Sequence, residues 1–329
     1  MPLVLPRFSP LHAAFLAALI GMAVPVETQA QNPLSAPPQS QASGLAPDLT
    51  FTIEGGEDGP IDAGVWLPAP SPDGSPAPLV VFSHGNGGEY RGHADTPRAL
   101  AEAGFVVAAL SHPGDNYRDM SRSTQLTGRA PQLSRLIDYM TLARFRQVSP
   151  IAVDASRIGA FGFSAGGFTV MTAIGGVSDL AAIRSHCASH TGDFACRLLA
   201  FQPIDPEIWR PSASDPRIRA AVIAAPALGY SFTDESVAAI RIPVQLWQAQ
   251  GDQILPSPYN VEPLRDRLSG PFDYRLVERA GHYDFLPPCS PSLATAAPSI
   301  CAPTPGFDRG AFHEAFNHDV VRFLQAHLR

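Results

Sequence analysis

The stretch Arg157-Ile158-Gly159-Ala160-Phe161-Gly162-Phe163-Ser164-Ala165-Gly166-Gly167 decides the fold. Its apolar first half predicts a buried strand, and residues 165–174 have helical character. Gly162 and Gly166 flank Ser164 in a G-x-S-x-G pattern. In this pattern the chain turns from strand to helix so sharply that side chains at the two glycine positions would clash with the neighbouring backbone. Such a corner exposes the serine hydroxyl beside a helix N-terminus that favours negative charge. We therefore predict that Ser164 is a nucleophile rather than part of a glycine-rich packing turn.

Outward from this corner, short apolar runs alternate with segments of helical period from about residue 48 onward. Apolar runs buried on both faces, with helices between them, predict an α/β fold with a mainly parallel central sheet flanked by helices. We expect this domain to cover residues 48–329. The expected strands are 78–83, 105–110, 157–163, 218–225, 242–247 and 272–277, and the expected helices are 96–103, 132–147, 165–174, 258–268 and 308–328.

Residues 175–216 interrupt the alternation and are too many for an ordinary connection. They follow the helix after Ser164, so this insertion is expected over the carboxyl edge of the sheet. A lid-like segment or pocket wall is one interpretation. A decoration of the surface is the other.

A serine hydroxyl needs a base to accept its proton. In the architecture that uses the G-x-S-x-G corner, the order along the chain is serine, acid, histidine. His282 follows the last expected strand in a short loop, at the edge where the base is needed. His313, His318 and His327 fall within the last expected helix instead. We therefore predict that His282 is the base.

The base in turn needs a carboxylate that orients its ring. Asp252 stands just after a strand in a turn that contains glycine, and it is the preferred candidate. Asp284 is the rival, but two residues from the histidine it cannot easily reach Nδ1 with good geometry. Asp234 precedes a helix and is expected to be its N-cap.

An acyl-transfer site also needs two hydrogen-bond donors for the oxyanion. The backbone N–H of Ala165, directly after the serine, is one candidate. The second is the N–H of Asn86, in the loop His84-Gly85-Asn86-Gly87-Gly88 that follows a strand. His84 itself is expected to hold this loop rather than to act as a base.

With these residues, the chain resembles the α/β-hydrolase superfamily. Within it, the chain looks most similar to bacterial predicted dienelactone hydrolases, akin to the platelet-activating-factor acetylhydrolase and bacterial cutinase branches. The resemblance implies nucleophile, acid and base roles for Ser164, Asp252 and His282, and an oxyanion hole at Asn86 and Ala165. Dienelactone hydrolases proper carry cysteine where this chain has Ser164, so their substrate is not carried over. The matching stretches are Val81–Gly88, Ser111–Asn116, Gly162–Gly167, Asp215–Ala220 and Ala280–Cys289.

Four cysteines are present, and they suit an oxidising compartment. Three pairings are possible. The local one, Cys187–Cys196 with Cys289–Cys301, closes two short loops and is the preferred prediction. A zinc site of His186, Cys187, His190 and Cys196 is the alternative.

The first thirty residues have the pattern of a secretory signal peptide. Arg7 precedes an apolar run at 13–24, which is shorter than the roughly 20 residues that cross a membrane. Small residues at Thr28 and Ala30 predict cleavage near Ala30, with no stable membrane insertion afterwards. Residues 31–47 are rich in Pro, Ser, Gln and Ala and are expected to form a flexible lead-in. A secreted or periplasmic location follows as an expectation.

The composition excludes several classes of function. All 23 basic residues are arginine, so chemistry that depends on lysine is impossible, and the net charge of −7 argues against nucleic acid as a partner. We expect an exported serine hydrolase that cleaves a small-molecule carboxylic ester through an acyl-enzyme, without metal or organic cofactor. An amide-cleaving or other acyl-transfer enzyme on the same three residues is one alternative. A non-catalytic binding protein on the same scaffold is another. The sequence indicates no oligomeric state.

Overall fold

The computed structural model describes residues 44–328. The predicted leader, residues 1–30, and most of the predicted lead-in lie outside the described residues. Within the described range, eight strands form one sheet in the order β1-β2-β4-β3-β5-β6-β7-β8. The strands are β1 (Leu49–Ile53), β2 (Ile61–Trp66), β3 (Ala77–Ser83), β4 (Val106–Leu110), β5 (Val153–Phe163), β6 (Ile218–Ala224), β7 (Val244–Ala249) and β8 (Phe272–Val277).

The sheet is mainly parallel, as predicted. All pairings from β4 through β8 are parallel, whereas β1 and β2 add an antiparallel edge. The sequence pattern does not predict these two strands. In β1, only Ile53 is fully buried, and the alternating sequence Leu-Thr-Phe-Thr-Ile contains no continuous apolar run.

Helices cover both faces of the sheet. They are α1 (Asp95–Glu102), α2 (Arg129–Thr141), α3 (Ala143–Val148), α4 (Ala165–Ala173), α5 (Leu180–Ser189), α6 (Phe194–Phe201), α7 (Asp234–Ala238), α8 (Glu262–Arg267), α9 (Pro291–Ala296), α10 (Pro298–Cys301) and α11 (Arg309–His327). The expected helix 132–147 is two helices, because Leu142 adopts extended backbone angles (φ −77°, ψ 159°) between them. The expected helix 258–268 begins only at Glu262.

Two apolar cores lie on opposite faces of the sheet, because successive side chains of a strand point to opposite sides. Leu79 and Val81 of β3 belong to the core that α2 and α4 cover. Val80 and Phe82 belong to the core that α1 and α11 cover. This double coverage is why the central strands are apolar throughout and detectable in the sequence.

The carboxyl ends of the parallel strands meet at one edge of the sheet. Ser83 ends β3, Phe163 ends β5, and Val277 ends β8, so the loops that carry Asn86, Ser164 and His282 leave the sheet on the same side. Topology therefore brings these three loops together, although they are far apart along the chain.

The insertion at 175–216 contains α5 and α6, which the Cys187–Cys196 disulfide joins across a Cα–Cα distance of 5.2 Å. The second disulfide, Cys289–Cys301, spans 5.7 Å. Both predicted pairings are thus present. Since the sulfurs of Cys187 and Cys196 are bonded to each other, they are not free to serve as the thiolate ligands of the zinc alternative. Among residues 44–328, no helix combines the length and apolar character that crossing a bilayer requires.

Candidate active site

Ser164 occupies a strained corner between β5 and α4, with φ 56° and ψ −119°. A Cβ on Gly162 would lie 2.1 Å from the carbonyl oxygen of Gly166, and a Cβ on Gly166 would lie 1.9 Å from that of Ser83. Glycine is therefore required at both positions. The backbone N–H of Ser164 donates to the carbonyl of Ala224 at 2.9 Å, which ties the corner to the end of β6. Strain of this kind persists only where surrounding structure enforces it.

Three side chains predicted from the sequence form a continuous hydrogen-bonded row at this corner. The Ser164 hydroxyl lies 3.1 Å from Nε2 of His282, and Nδ1 of His282 lies 2.7 Å from Oδ2 of Asp252. The other Asp252 oxygen accepts the backbone N–H groups of Ile254 at 2.9 Å and Leu255 at 2.7 Å. A carboxylate that accepts three hydrogen bonds favours a proton on Nδ1, which leaves Nε2 free to accept the serine proton.

Asp284, the rival acid, holds the loop of His282 instead of contacting its ring. One carboxylate oxygen accepts the backbone N–H of Gly281 at 2.8 Å, and the other accepts Nε of Arg309 at 3.0 Å. His313 donates from Nε2 to the carbonyl of Asp284 at 3.0 Å, and its Nδ1 lies 2.7 Å from Asp95. Asp284 is therefore placed to position the His282 loop.

Asp234, His318 and His327, which were compared with the preferred acid and base in the sequence, lie away from Ser164. Asp234 is the first residue of α7, and Thr233 is its N-cap, so the expectation of an Asp234 cap is wrong by one residue. The Thr233 hydroxyl accepts from the N–H of Ser236, three residues on, which Asp234 cannot do from within the helix. His318 and His327 both lie on α11, as the helical pattern predicts.

The amides of Asn86 and Ala165 have no hydrogen-bond acceptor among the described residues, so both are available to an oxyanion. The Asn86 side chain is anchored, because its Nδ2 donates to Oδ1 of Asp115 and to the carbonyl of Ser123, both at 3.1 Å. His84 accepts the N–H of His112 at 3.0 Å, consistent with the loop-holding role expected for it.

A buried ion pair beneath this loop was not predicted. Asp115 accepts the N–H of Gly87 at 2.8 Å and pairs with Arg129 at 3.1 Å, and Arg129 also donates to the carbonyl of His84. Burial raises the pKa of Asp115 although the neighbouring guanidinium opposes that shift, and burial lowers the pKa of Arg129 to about 10. Asp115 stands in the matching stretch Ser111–Asn116, but no local signal links it to Arg129 on α2. The two side chains together hold the His84–Gly88 loop, at the His84 carbonyl and at the Gly87 amide.

Replacing Asp115 with asparagine is expected to lower both stability and turnover. The change leaves Arg129 buried without its counter-charge, which costs about 3–5 kcal/mol of unfolding free energy. It also loosens the Gly87 amide, so we expect kcat for an ester to fall roughly 10²-fold with little change in KM. Urea unfolding and steady-state kinetics measure both effects. Asp119→Asn, at an exposed position of the same loop, is the matched control, and an unchanged kcat in Asp115→Asn would contradict the positioning role.

Comparison with solved structures identifies the architecture. No model of a protein family matches the sequence, and no curated protein does either. A ferulic acid esterase from Streptomyces cinnamoneus is 19% identical, with a TM-score of 0.55 over 85% of this chain and 88% of that one. A dienelactone hydrolase from Anabaena variabilis is 13% identical, with a TM-score of 0.51 over 85% of this chain and 98% of that one. This chain has the α/β-hydrolase fold.

A Mycobacterium tuberculosis puromycin-hydrolyzing peptidase is also similar, at 15% identity and a TM-score of 0.56 over 88% of this chain and 40% of that one. At these identities the comparisons establish the α/β-hydrolase fold and leave the reaction to the residues themselves.

Two apolar cavities meet at Ser164 in this α/β-hydrolase fold. The larger, which we call the His282 cavity, has a volume of about 890 Å³ including the space open to solvent. The smaller, the α6 cavity, has a volume of about 470 Å³ on the same basis. Phe194 and Ile254 line both and separate them. Phe194 belongs to the insertion, which supports the pocket-wall interpretation of that segment.

His93 is a buried histidine in the wall of the His282 cavity. Its ring packs against Phe161 and Phe163, with centroid distances of 5.3 and 5.2 Å, and neither ring nitrogen has a hydrogen-bond partner among the described residues. Burial lowers the pKa of His93 to about 4, with Asp95 opposing the shift and His313 adding to it. The ring is therefore neutral at neutral pH.

This depressed pKa predicts acid sensitivity. The unfolded chain protonates His93 near pH 6.5, whereas the folded protein resists protonation until about pH 4. The contribution of neutral His93 to the free energy of unfolding is thus fully present above pH 6.5. It is lost as the pH falls from there towards 4, and the loss is about 3 kcal/mol for this residue alone. Urea unfolding between pH 7.5 and 4.5 measures the loss, which His93→Phe should reduce. Equal losses in the two proteins would contradict the prediction.

Proposed function

We propose that this protein is a serine hydrolase that cleaves carboxylic esters through an acyl-enzyme. The observation that carries the proposal is the row from Ser164 through His282 to Asp252, with distances of 3.1 and 2.7 Å, at a corner where two backbone amides have no acceptor within residues 44–328. A binding protein on this scaffold has no need of all three side chains together with unoccupied oxyanion donors.

The proposed reaction has two halves. His282 Nε2 accepts the Ser164 proton as Oγ attacks the ester carbonyl carbon, and the amides of Asn86 and Ala165 bind the oxyanion. The tetrahedral intermediate collapses when the carbon–oxygen bond to the alcohol breaks and the imidazolium protonates the leaving alkoxide. Water, deprotonated by His282, then attacks the acyl-enzyme and releases the carboxylic acid. Asp252 holds the imidazole tautomer and stabilises its charged form throughout.

An ester is preferred over an amide as the substrate because of the walls around Ser164. Both cavities are lined mainly by apolar groups, which suit the side groups of an ester and offer few partners for the N–H and C=O groups of a peptide chain. The esterase and the dienelactone hydrolase among the similar structures favour the same choice, and the peptidase among them keeps amide cleavage as the second candidate.

Export is part of the proposal. Two disulfides are typical of proteins in oxidising compartments, and the leader pattern at residues 1–30 fits a secreted or periplasmic destination.

Covalent labelling tests the function directly. A fluorophosphonate probe should add to the protein once, and peptide mass spectrometry should place the adduct on Ser164. Protein denatured before the probe is added should not react, since the hydroxyl then lacks its base. The labelled protein should lose activity towards p-nitrophenyl acetate, and the corresponding anilide should be cleaved far more slowly. Absence of a Ser164 adduct would contradict the proposal, and faster anilide cleavage would favour the amide alternative.

A further inference from the structure

The two cavities that meet at Ser164 differ in size and in the catalytic groups that line them. His282 lines only the larger cavity, and Ala165 lines only the α6 cavity. From this asymmetry we propose that the α6 cavity binds the acyl group of the substrate and the His282 cavity binds the alcohol. The substrate class is then an ester of a short apolar acid with a larger apolar alcohol. This inference rests on the proposed function.

The direction of the substrate follows from proton transfer. The leaving oxygen must receive its proton from Nε2 of His282, so the alcohol has to lie on the side of the serine where that ring stands. The two remaining substituents of the carbonyl carbon, the oxygen and the acyl chain, point away from the ring. The oxygen reaches the amides of Asn86 and Ala165, and the acyl chain enters the cavity that Ala165 lines.

The walls of the α6 cavity limit the length of the acyl group. Apolar side chains from the insertion, the loop after Asp252 and two other segments line it, and its volume is about half that of the His282 cavity when the space open to solvent is included in both. These side chains are Leu126, Phe194, Ala195, Leu198, Leu199, Ala227, Leu228, Ile254 and Leu255.

The α6 wall is anchored at both ends, so the limit on length is built into the structure. Near its start, Cys196 is bonded to Cys187 of α5. At its end, the Gln202 side chain donates to the carbonyl of Ser121 at 2.6 Å and accepts the Ser123 hydroxyl at 2.6 Å. Tied in this way to the loop before α2, the helix is not free to move aside for a long chain.

The His282 cavity suits a larger alcohol. Besides His282, its walls carry aromatic rings together with aliphatic side chains near the second disulfide, and like the α6 cavity it is open to solvent. These side chains are Tyr117, Phe163, Phe194, Tyr283, Leu286, Leu293 and Ile300. An aryl or bulky alkyl alcohol can bury its surface there, and of the α6 side chains it meets Phe194.

A matrix of esters tests the assignment. With p-nitrophenol as the constant alcohol, kcat/KM should fall at least tenfold from acetate or butyrate to octanoate. With acetate as the constant acid, kcat/KM should hold or rise from methyl through benzyl to naphthylmethyl alcohols, which differ in size but little in leaving-group acidity. Leu198→Ala enlarges the α6 cavity, so it should raise relative activity on octanoate at least tenfold and leave the order of alcohols unchanged. Phe201→Ala, on the same helix but with the native side chain 89% exposed, is the matched control and should behave like the parent.

The outcomes separate this inference from the proposed function. If Leu198→Ala changes the alcohol preference and not the acyl preference, the assignment of cavities is reversed, while ester hydrolysis at Ser164 still stands. If the parent prefers octanoate, the proposed length limit is wrong. If no ester is cleaved and Ser164 takes no fluorophosphonate label, the proposed function fails before the cavities are compared.

Discussion

Replacing Ser164 with alanine is expected to lower kcat for an activated ester by about 10⁴- to 10⁶-fold. The reason is geometric: no other hydroxyl stands 3.1 Å from Nε2 of His282 among the described residues, so the variant loses the attacking atom. Residual turnover would come from the oxyanion amides and from substrate binding, which survive the change. Because the hydroxyl is a small part of a well-supported corner, the melting temperature should change little. Stopped-flow or steady-state kinetics with p-nitrophenyl acetate measure the loss of kcat.

Two controls make the result specific. Ser156→Ala removes an exposed serine of β5, whose hydroxyl donates to the Asp154 carboxylate, and should leave kcat at the parent value. Ser164→Cys keeps a nucleophile of similar shape at the corner and should gain labelling by a thiol reagent, because the four native cysteines are bonded in disulfides. A Ser164→Ala protein with more than about a tenth of the parent kcat would show that another group performs the attack.

The corner and the row at Ser164 could be predicted because their constraints are local or topological. Gly162 and Gly166 are required by contacts within a few residues of the turn or with the adjacent end of β3, and such requirements are visible in the sequence. His282 and Asp252 follow from the rule that loops after parallel strands share one edge. The strand that each residue follows is therefore enough to predict that the two side chains meet at that edge.

Other parts of the site depend on contacts that no short pattern records. Arg129 is the buried first residue of α2, and its partner Asp115 lies in a loop that helical period cannot place. Phe194 lines the two cavities at Ser164 because the insertion places α6 there, with a disulfide that ties α6 to α5. Tertiary packing decides such contacts. The strands β1 and β2 escape prediction because β1 alternates apolar and polar residues, and because Asp62 and Gly64 interrupt the apolar residues of β2 although that strand is almost wholly buried.

Replacing Asp252 with asparagine is expected to cause the next largest loss of kcat, and this variant discriminates between the two candidate acids. Asparagine can still accept the N–H groups of Ile254 and Leu255 through its oxygen, so the loop should keep its shape. Its NH₂ group would then face Nδ1 of His282 and favour the tautomer with the proton on Nε2. That ring cannot accept the Ser164 proton, and we expect kcat at neutral pH to fall about 10⁴-fold with a small change in stability.

Asp284→Asn is the matched comparison, and the opposite pattern is expected from it. The side chain loses its charge opposite the Arg309 guanidinium, with which it pairs at 3.0 Å in a site where Asp284 is 1% exposed. The unfolding free energy should therefore fall by about 1–3 kcal/mol, whereas His282 keeps its contact with Asp252 and kcat should fall less than tenfold. Kinetics and urea unfolding on the two variants together give the decisive result. The opposite result would be a larger loss of kcat in Asp284→Asn and a larger loss of unfolding free energy in Asp252→Asn. The acid would then have been assigned to the wrong carboxylate, and the tautomer of His282 would be set through its loop instead of through a contact with its ring.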